Sequence, residues 1–376
     1  MKVLFLSEWY PHRYDAMEGL FVRKHAEAVA RQNADVCVLY LHKDKNISKR
    51  EIVTQTTNGV KEIYVYYPFS LLSYLQALIA GWKEVKRLWG MPDICQLNVI
   101  SKNSLLPLYL KKRYHIPYVI VEHWTGYLSI SRTYGGLLHK QMTELAIKES
   151  SIVMPVSDDL RKAMEQCGLK HEHYHVINNV VDDFFYNRQK SLTQEKKRIL
   201  HISCFDEAHK NVCGILRVIK QISNIRHDFC LAIVGVGTDY NYVRQYAESL
   251  NLLKGIIEWT GELAPIEVAK QFLKSDIFLM FSNYENAPVV ISEALATGTP
   301  VISSDVGGIP EMVNKECGIL LGARDEQALA DAIIYMLDNY NKYKTDTIKE
   351  YGKNYTYDHV GKELIHIYEE ILENYS

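Results

Sequence analysis

The sequence predicts an α/β protein built on two doubly wound parallel sheets, and three observations predict it. Short β-branched runs alternate with amphipathic stretches from Val3 to Ser304, and strands separated by helices form parallel βαβ units. The alternation breaks once, over the polar run NNVVDDFFYNRQKSLTQEKKR, and then restarts. At 376 residues the chain is long for a single core, so two domains of ordinary size are expected.

In the first half, strand-like runs fall at Val3–Ser7, Asp35–Leu41, Lys61–Tyr67, Asp93–Asn98, Tyr118–Glu122, Ile152–Val156 and Tyr174–Asn178. Between several of them lie Gly19–Arg31, Leu71–Trp89, Ser104–Tyr114, Gly136–Glu149 and Asp158–Gln166, read as helices from their apolar spacing. After the break the strand-like runs are Ile199–Ser203, Phe229–Gly235, Ile256–Gly261, Asp276–Ser282 and Pro300–Ser304, again with helices between. Tyr357–Tyr375 is a strongly periodic closing helix. This organisation gives a first domain over 1–180, a linker over 181–197 and a second domain over 198–355. The segment 356–376 is expected to pack back toward the first domain.

Composition narrows the function classes. With 47% hydrophobic and 23% charged residues and no biased stretch, the chain reads as soluble and globular. A net charge of -2 lacks the basic footprint of a nucleic-acid binder, so no nucleic-acid partner is expected. The 7 cysteines form no CxxC and leave one unpaired, which points to reduced thiols and a cytoplasmic location. The opening apolar run of about five residues is shorter than the roughly 7–15 of a signal-peptide core. No later segment approaches the ~20 apolar residues of a membrane span.

The most informative stretch is FSNYENAPVVISEALATGTPVISSDVGGIPEMV, Phe281 to Val313. A strand ends at Ser282, a polar loop follows, and Pro288 suits the first position of a helix. That helix runs to about Thr297, where Gly298 supplies a left-handed cap and Pro300 starts the next strand. The junction turns amide N–H groups near Val289, Val290 and Ile291 toward the carboxyl end of the sheet, a ready anion site for a diphosphate. Glu285 in the loop and Glu293 two turns along can border one ligand, each accepting hydrogen bonds from vicinal hydroxyls.

The pair Glu285…Glu293, followed by EALATGTPV and DVGGIPE, is similar to the signature of the retaining GT-B glycosyltransferases of family 4. The resemblance covers nearly the whole chain and implies GT-B architecture, with two Rossmann-like domains facing a central cleft. It implies that Glu285 meets the transferred sugar's hydroxyls and that Glu293 accepts from the nucleotide ribose. The opening strand, the loop with Gly19 and the following helix resemble the family's glycine-containing phosphate-side loop, although Glu18 stands where many relatives carry a second glycine. His123, in VIVEHWTG, matches the histidine that contacts the donor sugar. PVSDDLRKAM and VINNVVDDFF also match, without chemistry assigned to them.

HISCFDEAHKNVCGIL resembles the segment that supplies an arginine and a lysine to the donor phosphates. Lys210 matches the lysine. The arginine position falls on Cys204 or Asp206, neither a cation. Losing a bidentate, permanently charged contact weakens leaving-group stabilisation by about 2–3 kcal/mol. Arg23, Lys24 or His209 could substitute; otherwise turnover is slow or the chain is a non-catalytic relative. Gly235 and Gly237, in AIVGVG, end a strand and read as the loop beneath the nucleotide or as a plain tight turn. At Gly261–Glu262–Leu263 relatives hold the base with backbone groups.

The resemblance therefore implies hexosyl transfer from a UDP- or GDP-linked sugar to a glycan or lipid-linked acceptor, as in surface polysaccharide synthesis. It also implies no metal and no further cofactor, since no DxD-type motif stands at a strand end. The transition state is oxocarbenium-like, and the donor phosphate takes the acceptor's proton. A nicotinamide oxidoreductase would want GxGxxG in the first turn, where SEWYPHRYDAMEG is too long and has one Gly. A nucleotide-sugar epimerase on the same fold is a further alternative. The alternating His171, His173 and His175 share a face if extended, as metal ligands or as a polar strand entry. Trp82 and Trp89 beside Lys83, Lys86 and Arg87, with KKRYH at Lys111–His115, suit either a peripheral contact at the inner face of a membrane or an ordinary covering helix.

Overall fold

The computed structural model describes residues 1–68, 70–131, 133–187 and 196–375. The chain divides into two compact units, one of Met1–Val180 with the segment from Tyr357, the other of Val181–Thr356.

Unit 1 runs β1 (Lys2–Ser7), α1 (Leu20–Arg31), β2 (Asp35–Lys43), β3 (Glu51–Thr57), β4 (Val60–Tyr67) and α2 (Leu71–Leu88). It continues with β5 (Ile94–Asn98), α3 (Leu105–Tyr114), β6 (Tyr118–Glu122), α4 (Leu137–Glu149), β7 (Val153–Pro155) and α5 (Asp158–Gln166). The sheet order is β3-β4-β2-β1-β5-β6-β7. Its strands are parallel except β3, which pairs antiparallel with β4. The central strands are buried on both faces, mostly by apolar side chains with Gln96, Asn98 and Glu122 among them; Val3, in register with Val36 and Ile94, is fully buried like both partners to within 1%.

Unit 2 runs β8 (Lys197–Ile202), α6 (Glu207–Lys210), α7 (Val212–Ser223), β9 (Phe229–Val234), α8 (Tyr240–Ser249), β10 (Ile257–Gly261) and α9 (Pro265–Leu273). Then come β11 (Ile277–Met280), α10 (Val289–Thr297), β12 (Val301–Ser304), α11 (Ile309–Met312), β13 (Gly318–Leu321), α12 (Glu326–Asn339) and α13 (Thr345–Gly352). All pairs in the order β10-β9-β8-β11-β12-β13 are parallel. The order reverses between β8 and β11, the point where open α/β sheets bind ligands at their carboxyl ends.

The chain then returns to unit 1 as α14 (Tyr357–Tyr375). Its apolar side joins the core of unit 1 through Val360, Leu364 and Tyr368. Gly361 lets it lie on α1, since a Cβ there would stand 2.4 Å from the Ala28 carbonyl oxygen. Tyr357 Oη donates to Glu27 Oε2 at 3.0 Å, and Tyr368 Oη donates to Gln96.

Four readings change. Tyr174–Asn178 is not a strand: it makes one isolated bridge, Tyr174 to Val153. β3 went unread because its side chains are nearly all exposed, which leaves no apolar alternation to see. β13, the 4-residue run GILL, also went unread. Part of the segment expected as a linker is folded into unit 2: the Val181 amide donates to the Tyr355 carbonyl at 2.8 Å, and Phe185 is fully buried. Residues 188–195 of that segment lie outside the described residues.

The aromatic residues of α2 also point inward. Trp82 and Trp89 are buried, and Trp89 Nε1 donates to Asp35 Oδ1 at 2.6 Å. The outward stripe of α2 is instead Leu72, Leu75 and Ile79. Among the described residues no helix is long and apolar enough to cross a membrane.

Candidate functional site

At the reversal point of unit 2, two loops carry the predicted chemistry. After β8 the chain turns into the single-turn α6, where Asp206 caps the start by accepting from the His209 amide at 3.2 Å. Asn211, left-handed at φ 49, ends it. This places Lys210 toward the loop after β11. There Lys210 Nζ donates to Glu285 Oε1 at 2.5 Å, with only 10% and 6% of the two side chains exposed. Removing one partner of such a buried pair strands the other charge at about 3–5 kcal/mol.

The surroundings fix that pair. The Asn283 amide donates to the His209 carbonyl and its Nδ2 to the Ala208 carbonyl, both at 2.8 Å, tying α6 to the β11 loop. The His209 ring stacks on Tyr284, with centroids 4.0 Å apart and planes within 8°. Burial, aided by Lys210, holds the His209 pKa below the usual histidine range. His209 is therefore a poor replacement for a permanent cation. Gly307, at φ 56, presses on the Glu285 backbone so closely that a Cβ would stand 1.9 Å from the Glu285 carbonyl oxygen. The Gly308 amide donates to the Asn286 carbonyl at 2.9 Å. The DVGGIPE turn is thus the wall that sets where Glu285 sits.

Pro288 is the residue before α10 rather than its first, and no side chain caps the helix. Of the amides expected at the first turn, that of Ile291 is used internally, donating to the Pro288 carbonyl at 3.0 Å; Val289 and Val290 precede it. Glu293 is half-buried on α10; burial is what chiefly raises the pKa of nearby Tyr186, and the Glu293 charge adds to it. Gly298 ends α10 in the left-handed conformation, φ 71, as read from the sequence.

Gly235 and Gly237 have a packing reason to be glycine. A Cβ at Gly235 would lie 1.9 Å from the Ser203 carbonyl oxygen, and one at Gly237 2.3 Å from the Phe205 amide. They let the β9–α8 loop cross the turn after β8. The Gly235 amide donates to the Gly261 carbonyl at 2.8 Å, so the loops after β9 and β10 meet at the same end of the sheet. Leu263 is half-buried against the core of unit 2.

The missing arginine is not recovered from the residues first considered. Cys204 is exposed and Asp206 is the helix cap. Arg23 belongs to unit 1, where it pairs with Glu62 at 3.0 Å; Lys24, in the same unit, is buried. A cation missed in the sequence, Arg324, follows β13 with φ 64 and donates from Nε to Asn283 Oδ1 at 2.9 Å. Its left-handed backbone and its distance of 41 residues from Asn283 leave no local signal.

In unit 1 the structure brings Gly19 and His123 to one end of the sheet. Gly19 precedes α1 at φ 60, and a Cβ there would lie 2.3 Å from the Trp9 carbonyl. Phe21, in the first turn of α1, packs on the His123 ring at 4.2 Å. Burial and the neighbouring His25 hold His123 well below the usual histidine range. The sequence reading overlooked Glu122, a fully buried carboxylate that accepts from the amides of Ile100 at 3.0 Å and of His123 and Trp124 at 2.9 Å. A charge closing the apolar run YVIVE was the available signal.

Burial pushes the Glu122 pKa up to about 7. The folded state therefore holds an extra proton between the ordinary glutamate value of 4.5 and about 7, and stability falls as pH rises through that window. Glu122→Gln is expected to remove about one proton from the slope of unfolding free energy against pH there. Urea titrations at pH 5, 6 and 7 check it; an unchanged slope refutes the assignment.

The histidines of HEHYH do not converge. His171 Nδ1 bonds the His173 carbonyl at 2.8 Å, whereas His175 Nε2 pairs with Glu363 at 2.7 Å. Among the described residues no group of three or more His, Cys, Asp or Glu is placed to hold a metal ion.

Residues 19–183 match the family described as Glycosyltransferase Family 4, and residues 183–355 match Glycosyl transferases group 1. An uncharacterized glycosyltransferase of Methanocaldococcus jannaschii is 24% identical, with 99% of each chain covered. Among solved structures, sucrose-phosphate synthase from Thermosynechococcus elongatus aligns with TM-score 0.78 at 17% identity, covering 100% of both chains. Anabaena HepE in complex with UDP aligns with TM-score 0.73 at 18% identity, covering 98% of this chain and 100% of that one. At these identities the structural likeness concerns the fold.

Proposed function

The chain belongs to the GT-B glycosyltransferases of family 4, and from that premise we propose that it transfers a hexosyl group from a UDP- or GDP-linked sugar with retention of configuration. The observation that carries this reading is the buried Lys210–Glu285 pair at the reversal point of the second sheet. A lysine and a carboxylate held together there offer one group for departing diphosphate and one for sugar hydroxyls. HepE, which shares the fold, holds UDP in its structure, the nucleotide of one of the two donors proposed here.

In the proposed reaction the bond from the anomeric carbon to the diphosphate breaks through an oxocarbenium-like state. The leaving oxygens gain charge, which Lys210 and the amides at Val289 and Val290 stabilise. Glu285 orients the sugar, and Glu293 accepts from the ribose. The base lies against the backbone of Gly261 and Leu263, above the loop of Gly235 and Gly237. In unit 1, Gly19 serves as a phosphate-side glycine and His123 as a contact to the donor sugar. The acceptor hydroxyl attacks from the face the diphosphate leaves, and a donor phosphate oxygen takes its proton. Neither a metal nor a further cofactor takes part. A cytoplasmic enzyme building a surface glycan or lipid-linked saccharide fits this chemistry, with any membrane contact peripheral.

A thermal-shift panel of UDP- and GDP-sugars tests the reading. A true donor at 100 times its Kd should stabilise the protein by about 2.7 kcal/mol, with EDTA making no difference. No shift with any nucleotide sugar overturns it; a shift that EDTA abolishes overturns metal independence. The cation-free positions Cys204 and Asp206 favour a second reading, a relative that binds donor without turning it over. Donor hydrolysis without acceptor separates the two.

A further inference from the structure

The reaction proposed above makes no use of Glu122, although it is a fully buried carboxylate at the end of β6. An ionised carboxylate offers about four lone-pair sites, and four donors reach this one. Oε1 accepts from the amides of His123 and Trp124, both at 2.9 Å. Oε2 accepts from the Ile100 amide at 3.0 Å and from Tyr127 Oη at 3.4 Å. The donors come from two separate loops, one after β5 and one after β6.

Both loops contain backbone that needs holding. Val99, between β5 and Ile100, is left-handed at φ 62, a conformation costly for a β-branched residue. Its amide donates to the carbonyl of Val121, the residue before Glu122, at 2.9 Å. After β6 the chain closes a single turn, Thr125–Tyr127, so tight that a Cβ at Gly126 would stand 2.1 Å from the Trp124 ring. That turn brings Tyr127 back onto Glu122.

Strand alternation places Val119 and Val121 in the core with α1, and so turns Glu122 away from that helix. The next side chain lies on the other side: the His123 ring is 4.2 Å from Phe21 and 5.7 Å from His25, both on α1. Glu122 can therefore reach His123 only through the backbone. The His123 amide belongs to the peptide plane before that residue, and the Trp124 amide to the plane after it, which also contains the His123 carbonyl. One carboxylate oxygen thus holds both planes.

We propose that Glu122 is the positioning residue for the donor-sugar contact at His123, setting the aim of the His123 carbonyl and ring without touching the donor. The sugar in this statement rests on the transferase reading; the hold on His123 rests on unit 1 alone.

Two measurements on the full chain test it at pH 8, above the value of about 7 to which burial raises Glu122. In amide hydrogen exchange, Ile100, His123 and Trp124 should be protected. Glu122→Gln replaces one acceptor oxygen with an NH2 group, so donor meets donor. Exchange at those amides should then quicken at least tenfold more than at the amides of β2, which report global opening. Calorimetric titration with UDP-glucose, UDP-N-acetylglucosamine and GDP-mannose, beside UDP and GDP, reads the donor side. Glu122→Gln should weaken a bound nucleotide sugar at least fivefold relative to its free nucleotide. His123→Ala should show the same selective loss, and the double variant should lose no more than the larger single one. Tyr127→Phe removes only the longest bond; the same pattern at about twofold is expected, which keeps the test usable should Glu122→Gln fail to fold. Exchange in step with β2, equal weakening of sugar nucleotide and free nucleotide, or additive losses overturns the proposal. If the parent binds no nucleotide and no nucleotide sugar, the transferase reading falls and takes the sugar with it, while the exchange result still decides whether Glu122 holds His123.

Discussion

Glu285→Gln is expected to lower kcat/KM for sugar transfer by about 10²–10³, the effect of losing one preorganised charged group at a reacting centre. The side chain is held at 2.5 Å by Lys210 and is only 6% exposed, so it has little freedom to be replaced by water. Glutamine keeps the shape and one acceptor but loses the charge that balances Lys210. A stability loss of about 3 kcal/mol should therefore accompany the activity loss. Lys210→Met should do comparable harm from the other side. The double variant should cost less than the sum, because neither partner is then stranded. Initial rates and urea midpoints on all three variants check this. A Glu285→Gln enzyme within threefold of the parent would remove that residue from the chemistry.

Gly307→Ala should be equally severe for a different reason. Its left-handed backbone, φ 56, costs a residue with a Cβ about 1–2 kcal/mol. The added methyl would also overlap the Glu285 carbonyl, 1.9 Å from the oxygen and 2.8 Å from the carbon. Backbone cannot give way as a flexible side chain does, so the β11 loop must move and carry Glu285 with it. Loss of transfer by at least tenfold, with a drop in stability beyond the left-handed cost alone, is expected. Gly255→Ala supplies the control: it is left-handed at φ 85 but its Cβ would meet open space. If the two variants lose the same stability and Gly307→Ala keeps full rate, the overlap has no consequence.

Much of the second sheet was legible because its motif is local. Gly298 and the DVGGIPE turn stand within Phe281–Val313, where the left-handed backbones of Gly298 and Gly307 follow from residue type; Pro288 marked the helix start one residue early. The Lys210–Glu285 contact was not legible from spacing: its partners are 75 residues apart, and resemblance assigned them separate roles. Arg324 and Glu122 were missed for the same reason, each being defined by what folds onto it. Trp82 and Trp89 left two readings open because sequence shows that they are there and not which way they face; their burial suits the covering helix. In β3 the opposite held, since an exposed edge strand needs no apolar alternation.

The return of α14 to the first unit sets an order of events on the ribosome. Synthesis supplies everything the second unit needs by Thr356, whereas the first lacks one wall of its interior until the tail emerges. The half made earliest is thus finished last, and until then Ala28 and its neighbours on α1 remain uncovered for any chaperone to hold.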